Sequence, residues 1–272
     1  MDDRERPPRY GDVVRTSRSA LTSATIAAIA VLTGCAAAPT TTITDADGST
    51  VIVDWADYPG HAGIDAAQLV NAPPEQEVEA VSSALLDAIG AQLSDRFGVT
   101  FTVEGDDIWT ASQGNGYGGE SLLTSYNSAA RETSTIPSAP DDWRAIVAIV
   151  TEEAIRAGLG PVVLDHESES YLRDESWQKD TRERFGTDDP DQFWSWSGFA
   201  CGDSQWLSIS LSDARRDASG EAVREAKKFD SQGQSISVFY GATTVQADSR
   251  IEFAEKIKPF IGLTPPPSTT SD

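Results

Sequence analysis

The clearest periodicity in the chain runs from Glu75 to Phe97. There Val78, Val81, Leu85, Leu86, Ile89, Leu93 and Phe97 recur mostly at steps of three and four residues. That spacing puts them on one face of an amphipathic helix, introduced by Pro73-Pro74 and capped by Gly98. Val99, Phe101 and Val103 then alternate with Thr100 and Thr102, the period of a half-buried strand. A second strand-like run covers Asp107 to Ser112, and a third resumes at Leu122 to Tyr126 beyond Gly114, Gly116, Gly118 and Gly119. An antiparallel meander is expected after the helix. Asp141 and Asp142 can cap a further helix with an apolar stripe of Trp143, Ile146, Val147, Val150, Ala154 and Ile155. Gly158-Leu159-Gly160 stops it before a strand from Pro161 to Asp165. Helix, glycine stop and strand thus recur in one order, as two repeated α-β-β units would.

The segment Glu167 to Pro190 is strongly charged and aperiodic, and reads as a long surface excursion with room for a short helix. In Gln205 to Asp213, Leu207, Ile209 and Leu211 alternate with Ser208, Ser210 and Ser212, so a strand with its serines toward solvent is predicted. Another strand covers Ser235 to Tyr240. The mixed-charge stretch between them, Ala214 to Gly233, reads as a mobile hairpin loop or a frayed helix. A last helix from Asp248 to Phe260 should bury Ile251, Phe253, Ala254, Ile257 and Phe260. The closing TPPPSTTSD is too rich in proline and hydroxyl residues to pack, so a disordered tail is expected over 264–272. Near the start, Asp47-Gly48 between β-branched runs signals a small hairpin. Strand runs grouped between helices predict an α+β fold, one antiparallel sheet with about three helices packed on one face. A tether and hairpin over residues 35–55 would precede a single domain over 56–263.

The leader says where such a chain goes. Arg4, Arg6, Arg9, Arg15 and Arg18 precede an apolar run from Ala20 to Leu32, which ends in Thr33, Gly34 and Cys35. A charged head, a short apolar core and small residues before a cut form an export signal, here residues 1–34. The run falls short of the ~20 residues a spanning helix needs. Leu32-Thr33-Gly34-Cys35 resembles the lipobox of bacterial lipoproteins. The resemblance implies a diacylglyceryl thioether on Cys35, which becomes the first mature residue and holds the domain to the outer face of the cell membrane. Two acyl chains hold stably where one holds reversibly. The alternative is a secreted protein cut at Ala36-Ala37-Ala38.

Charge narrows the partners. Asp and Glu number 43 against 21 Lys and Arg, for a net charge of −22, and the leader holds five of the arginines. Such a surface repels phosphate backbones, so nucleic-acid partners are excluded. The acidic excess serves either solubility or a cationic partner. Asp45, Asp47 and Asp54 fail as a calcium loop, because placing Gly48 sixth makes Ile43 the first ligand. No metal or cofactor motif is present, and Gly114 to Gly119 opens no predicted helix that could cradle phosphate.

The cysteines are Cys35 and Cys201 alone, so acylation of Cys35 leaves Cys201 without an intramolecular partner. Its place between Trp196 and Trp206 predicts a buried packing role. The only near-neutral bases are His61 and His166. A Cys201, His166 and acid triad is the boldest catalytic arrangement available, yet no cysteine-hydrolase signature surrounds Cys201. Asp188, Asp189 and Asp191 around Pro190 suit a turn more readily than a glycosidase or metal site. The most suggestive composition is Phe193-Trp194-Ser195-Trp196, followed by Trp206. Alternation puts Trp194 and Trp196 on one side of an extended segment, a platform for sugars, peptides or a protein, unless one of them plugs the core.

The lipobox, the acidic alanine-rich chain and the helix followed by G-x-G and a strand resemble the LppA-like lipoproteins of actinobacteria. That resemblance implies a surface-tethered α+β domain without an assigned reaction. The sequence therefore points to a membrane-anchored extracytoplasmic lipoprotein, more a non-catalytic binding or envelope-assembly module than an enzyme. Its partners would be the membrane, through lipid on Cys35, and an envelope protein or glycan contacted by Trp194, Trp196 and Trp206. The alternative is an envelope hydrolase using Cys201 or the acidic cluster.

Overall fold

The computed structural model describes residues 38–44 and 48–269. Cys35 and the rest of the leader, with residues 45–47, lie outside them. In chain order the elements are β1 (Thr40–Thr44), β2 (Thr50–Asp54), α1 (Ala66–Val70), α2 (Glu75–Phe97), β3 (Thr102–Glu104), β4 (Ile108–Ala111), β5 (Leu123–Asn127), β6 (Ala130–Thr133) and α3 (Pro140–Arg156). There follow β7 (Val163–Leu164), α4 (Glu169–Arg173), α5 (Glu175–Phe185), β8 (Ser195–Cys201), β9 (Gln205–Asp213), α6 (Glu221–Lys228), β10 (Gln234–Val245) and α7 (Arg250–Lys256). Strands β1 and β2 form the expected hairpin. Among the described residues the other eight strands make one antiparallel sheet, so the fold is α+β.

The longest strand organises that sheet. β10 pairs with β9 along one edge from Gln234 to Ala242, and along the other with β6 and then β5. β3 and β4 flank β6 and β5, while β8 and β7 continue beyond β9. Period-two alternation sends Ile236, Val238, Tyr240 and Ala242 to one face with Leu207, Ile209 and Leu211. Helices α2 and α3 cover that face with Leu85, Leu86, Ile89, Leu93, Trp143, Ile146 and Val150. Each such side chain removed from water contributes about 1.5–3 kcal/mol before chain entropy is counted. A second cluster takes Leu123 and Val245, whose parity is opposite, and joins them to Trp55, Tyr58, Leu69, Tyr117, Phe253, Ile257 and Phe260.

Several local expectations are corrected. Asp141 and Asp142 do not cap α3; Pro140 takes its first position after Ala139, and the two carboxylates lie in the first turn, where the helix dipole favours them. Ile155 and Ile251 are exposed, as is Ala254. The strand expected after α2 is confined to Thr102–Glu104, while Val99 ahead of it is buried in the core. The excursion after Glu167 is mostly helical. Ser168 accepts from Tyr171 N, Asp174 accepts from Ser176 N and Trp177 N, and Gly186 closes α5 in the left-handed region. Because β7 is two residues long and this excursion separates it from β8, a simple repeat of α-β-β units does not form.

The glycine loop is a structural hub. Asn115 is fully buried, and its Nδ2 donates to the carbonyls of Trp55, Ala56 and Tyr58 at 3.1, 3.0 and 2.8 Å. Its Oδ1 accepts from Tyr117 N at 2.9 Å and Gly119 N at 3.0 Å. Gly119 must be glycine, since a Cβ there would stand 1.8 Å from the Ala56 carbonyl oxygen. Residues 264–269 lie against this loop. Tyr117 Oη donates to Pro266 O at 2.7 Å, and Ser268 Oγ and Thr269 N both donate to Gly116 O at 2.9 Å.

Candidate functional site

The register of β7 creates the site. Its pairing with β8 ends at Leu164 and Gly198, because the chain turns there into a one-turn 3-10 helix, Asp165–Glu167. The stretch Ser195 to Ser197 of β8 is left beyond that ladder. Helices α4 and α5 lie beside it, leaving an open cavity of about 190 Å³ lined by Asp165, His166, Tyr171, Trp177, Asp180 and Arg184, with Ser195 and Ser197. Trp177, Asp180 and Arg184 reach it together because residues three and four apart share a helix face.

The walls combine aromatic rings with a few polar groups. Tyr171 and Trp177 meet edge to face, with centroids 5.5 Å apart and planes at 83°. Phe185 stacks on Phe193 at 4.3 Å. The His166 side chain is 8 % exposed and lies 5.7 Å from the Phe193 ring and 5.5 Å from the Trp196 ring. It has no hydrogen-bond partner among the described residues; Glu167 Oε1 stands 4.0 Å from Nε2, outside hydrogen-bond reach. Burial pushes the imidazole below its ordinary pKa, against the opposing pull of Glu167 and Asp165. Asp165 accepts a hydrogen bond from the Ser197 hydroxyl through one carboxylate oxygen. The Arg184 guanidinium sits 4.9 Å over Trp194 and 5.2 Å over Phe185.

Trp194 and Trp196 do not form the expected two-tryptophan platform, and Trp206, the third candidate, lies apart from both. Trp196 is 1 % exposed, donates from Nε1 to Pro190 O at 2.9 Å and meets Trp143 edge to face, so it is the member that plugs the core. Trp194 is half-buried and lines a separate groove with Phe229, Ala222 and Ala226. Trp206 is half-buried against Gly241, where a Cβ would fall 2.1 Å from its ring. Cys201 is exposed rather than buried, because it falls on the outward parity of β8 beside Phe199. His166 packs at Trp196, five residues back along the strand, or ~16 Å at the usual rise. A Cys201–His166 pair does not form.

The acidic cluster is spent on structure. Asp188 pairs with Arg182, Asp189 accepts from Asp191 N and from Gln192 Nε2, and Asp191 pairs with Arg144. Among the described residues no group of three or more His, Cys, Asp or Glu side chains could hold a metal ion. Sequence reasoning missed Tyr171, Trp177 and Asp180 because they lie in the charged excursion. The signal available was Ser168 and Asp174, each three residues ahead of an aromatic, where a capping residue starts a helix. Among the described residues no helix is long and apolar enough to cross a membrane. Protein-family models, curated proteins and solved structures give no match to this chain.

Proposed function

We propose that this chain is a lipid-anchored extracytoplasmic lipoprotein whose folded part is a non-catalytic binding module, with its ligand held in the cavity beside β8. The leader and the lipobox carry the anchor, and on this reading the chain sits beside the LppA-like lipoproteins. The observation that carries the binding role is the His166 imidazole, nine-tenths buried at the cavity wall and left without a hydrogen bond. The imidazole borders an open cavity, so a ligand entering there would exchange water for a direct hydrogen bond to the ring. Aromatic walls with a few polar groups are the usual lining of a binding site, and an envelope glycan or peptide offers both surfaces.

Two measurements test this. The intact mass from the native membrane should correspond to Cys35 through Asp272 plus a diacylglyceryl group; a start downstream of Cys35 overturns the anchor. Arrays of envelope glycans and peptides, probed with the chain and with Trp177→Ala, should show hits that the variant loses. Hits unaffected by Trp177→Ala would move the site elsewhere.

A further inference from the structure

We infer that the cavity beside β8 takes a primary ammonium group on an apolar stem, such as a lysine-like side chain of an envelope peptide. This rests on the binding role proposed above and names the chemistry of its ligand.

Charge selects the sign. Asp165 and Asp180 are the carboxylates of the lining, and no hydrogen bond or ion pair engages Asp180 among the described residues. Arg184, one turn beyond Asp180, is the lining's guanidinium, and it is held over the faces of Trp194 and Phe185. His166 adds no positive charge near neutral pH, since burial favours its neutral form. The cavity is therefore acidic, within a chain of net charge −22.

Hydrogen bonding selects the kind of cation. A neutral imidazole has one bare ring nitrogen that can only accept, and a carboxylate can only accept. Asp165, Asp180 and the bare imidazole nitrogen thus offer three acceptors to a group with several donors, as R–NH3+ is, while the Tyr171 and Ser195 hydroxyls and the Arg184 guanidinium are left to donate to the rest of the ligand. A quaternary ammonium would gain the aromatic attraction but leave His166 without a bond. The Tyr171–Trp177 corner presents perpendicular ring surfaces, the arrangement that attracts a cation and covers its methylene stem. Size agrees: an open cavity of about 190 Å³ admits one long side chain and is too small for a folded ligand.

The test is calorimetric titration of the full-length chain in detergent with Nα-acetyl-lysine methylamide, its norleucine isostere, tetramethylammonium and methyl glucoside. The lysine probe should bind saturably and the norleucine isostere at least tenfold more weakly. Asp180→Asn, an exposed change that spares the fold, should lower affinity for the lysine probe about tenfold, and His166→Gln should lower it as well. Equal binding of norleucine and lysine probes, or tighter binding of tetramethylammonium or the glucoside, would overturn the ammonium assignment while leaving the site in place. Absence of binding by all four probes would overturn both the assignment and the cavity as the ligand site.

Discussion

Asn115 offers the sharpest test of how this fold is held. Its carboxamide is fully buried and satisfies five backbone groups drawn from two stretches of chain, the carbonyls of Trp55, Ala56 and Tyr58 and the amides of Tyr117 and Gly119. A carboxamide has two N–H protons, so the three carbonyls share two donors and four hydrogen bonds is the effective number. At about 1 kcal/mol each, Asn115→Ala should lose ~4 kcal/mol, with more added for carbonyls left buried and unpaired. For a chain of this length about 2–4 °C of melting temperature accompanies each kcal/mol, so the midpoint should fall by roughly 8–16 °C. Asn115→Asp is the discriminating partner. It keeps the size and the acceptor but turns an oxygen toward the three carbonyls and buries a charge, so it should be at least as damaging at neutral pH. Thermal and urea unfolding followed by tryptophan fluorescence and far-ultraviolet circular dichroism would measure both. A fall of under ~2 °C for Asn115→Ala, or a wild-type midpoint for Asn115→Asp, would refute the hub.

Four further outcomes are expected. Trp196→Ala should cost about 3–5 kcal/mol in urea unfolding, while Trp194→Ala and Trp206→Ala, at half-buried positions, should cost clearly less. Cys201 should be alkylated in the folded protein, and Cys201→Ser should stay within about 0.5 kcal/mol of the parent, as substitutions at exposed positions do. His166 has a folded pKa below its unfolded 6.5, so its share of stability is present above that pH and lost as pH falls through the folded value. A melting profile from pH 7 to 4 should therefore decline below about 6.5, and less steeply in His166→Gln. Truncation after Leu263 removes the bonds to Pro266 O and Gly116 O and should lower stability by about 1–3 kcal/mol; an unchanged midpoint would show the docked tail to be energetically idle.

What could be read from the sequence was whatever rests on a repeating apolar pattern. Helix α2 runs from Glu75 to its Gly98 cap as its stripe predicts, and the alternation of β9 places Leu207, Ile209 and Leu211 inward. Patterning failed where the determinant was a single polar group acting at a distance. Nothing local in GNGYGG reveals that Asn115 reaches back some 60 residues to bind the carbonyls around Trp55, nor that Gly116 receives the tail. The excursion lies on the surface as its charge predicts, but its helical extent was hidden for a related reason: α5 has no buried residue, so its sequence shows no stripe, and its caps are what mark the helix. The cavity was invisible because it depends on where β7 stops. The exposed Cys201 was legible in principle, since its parity matches Phe199 on β8, but the tryptophans around it suggested burial.

The position of β10 also governs when this protein can fold. It is the last strand to be made, yet it joins the β5–β6 edge on one side to β9 and β8 on the other. A chain emerging from its N-terminus holds two half-sheets that cannot unite until residues past Gln234 arrive. Such late, long-range pairing is slow and leaves strand edges open in the meantime. Closure of the sheet therefore waits on β10, and until it arrives the inner edges of both halves depend on other partners to stay covered.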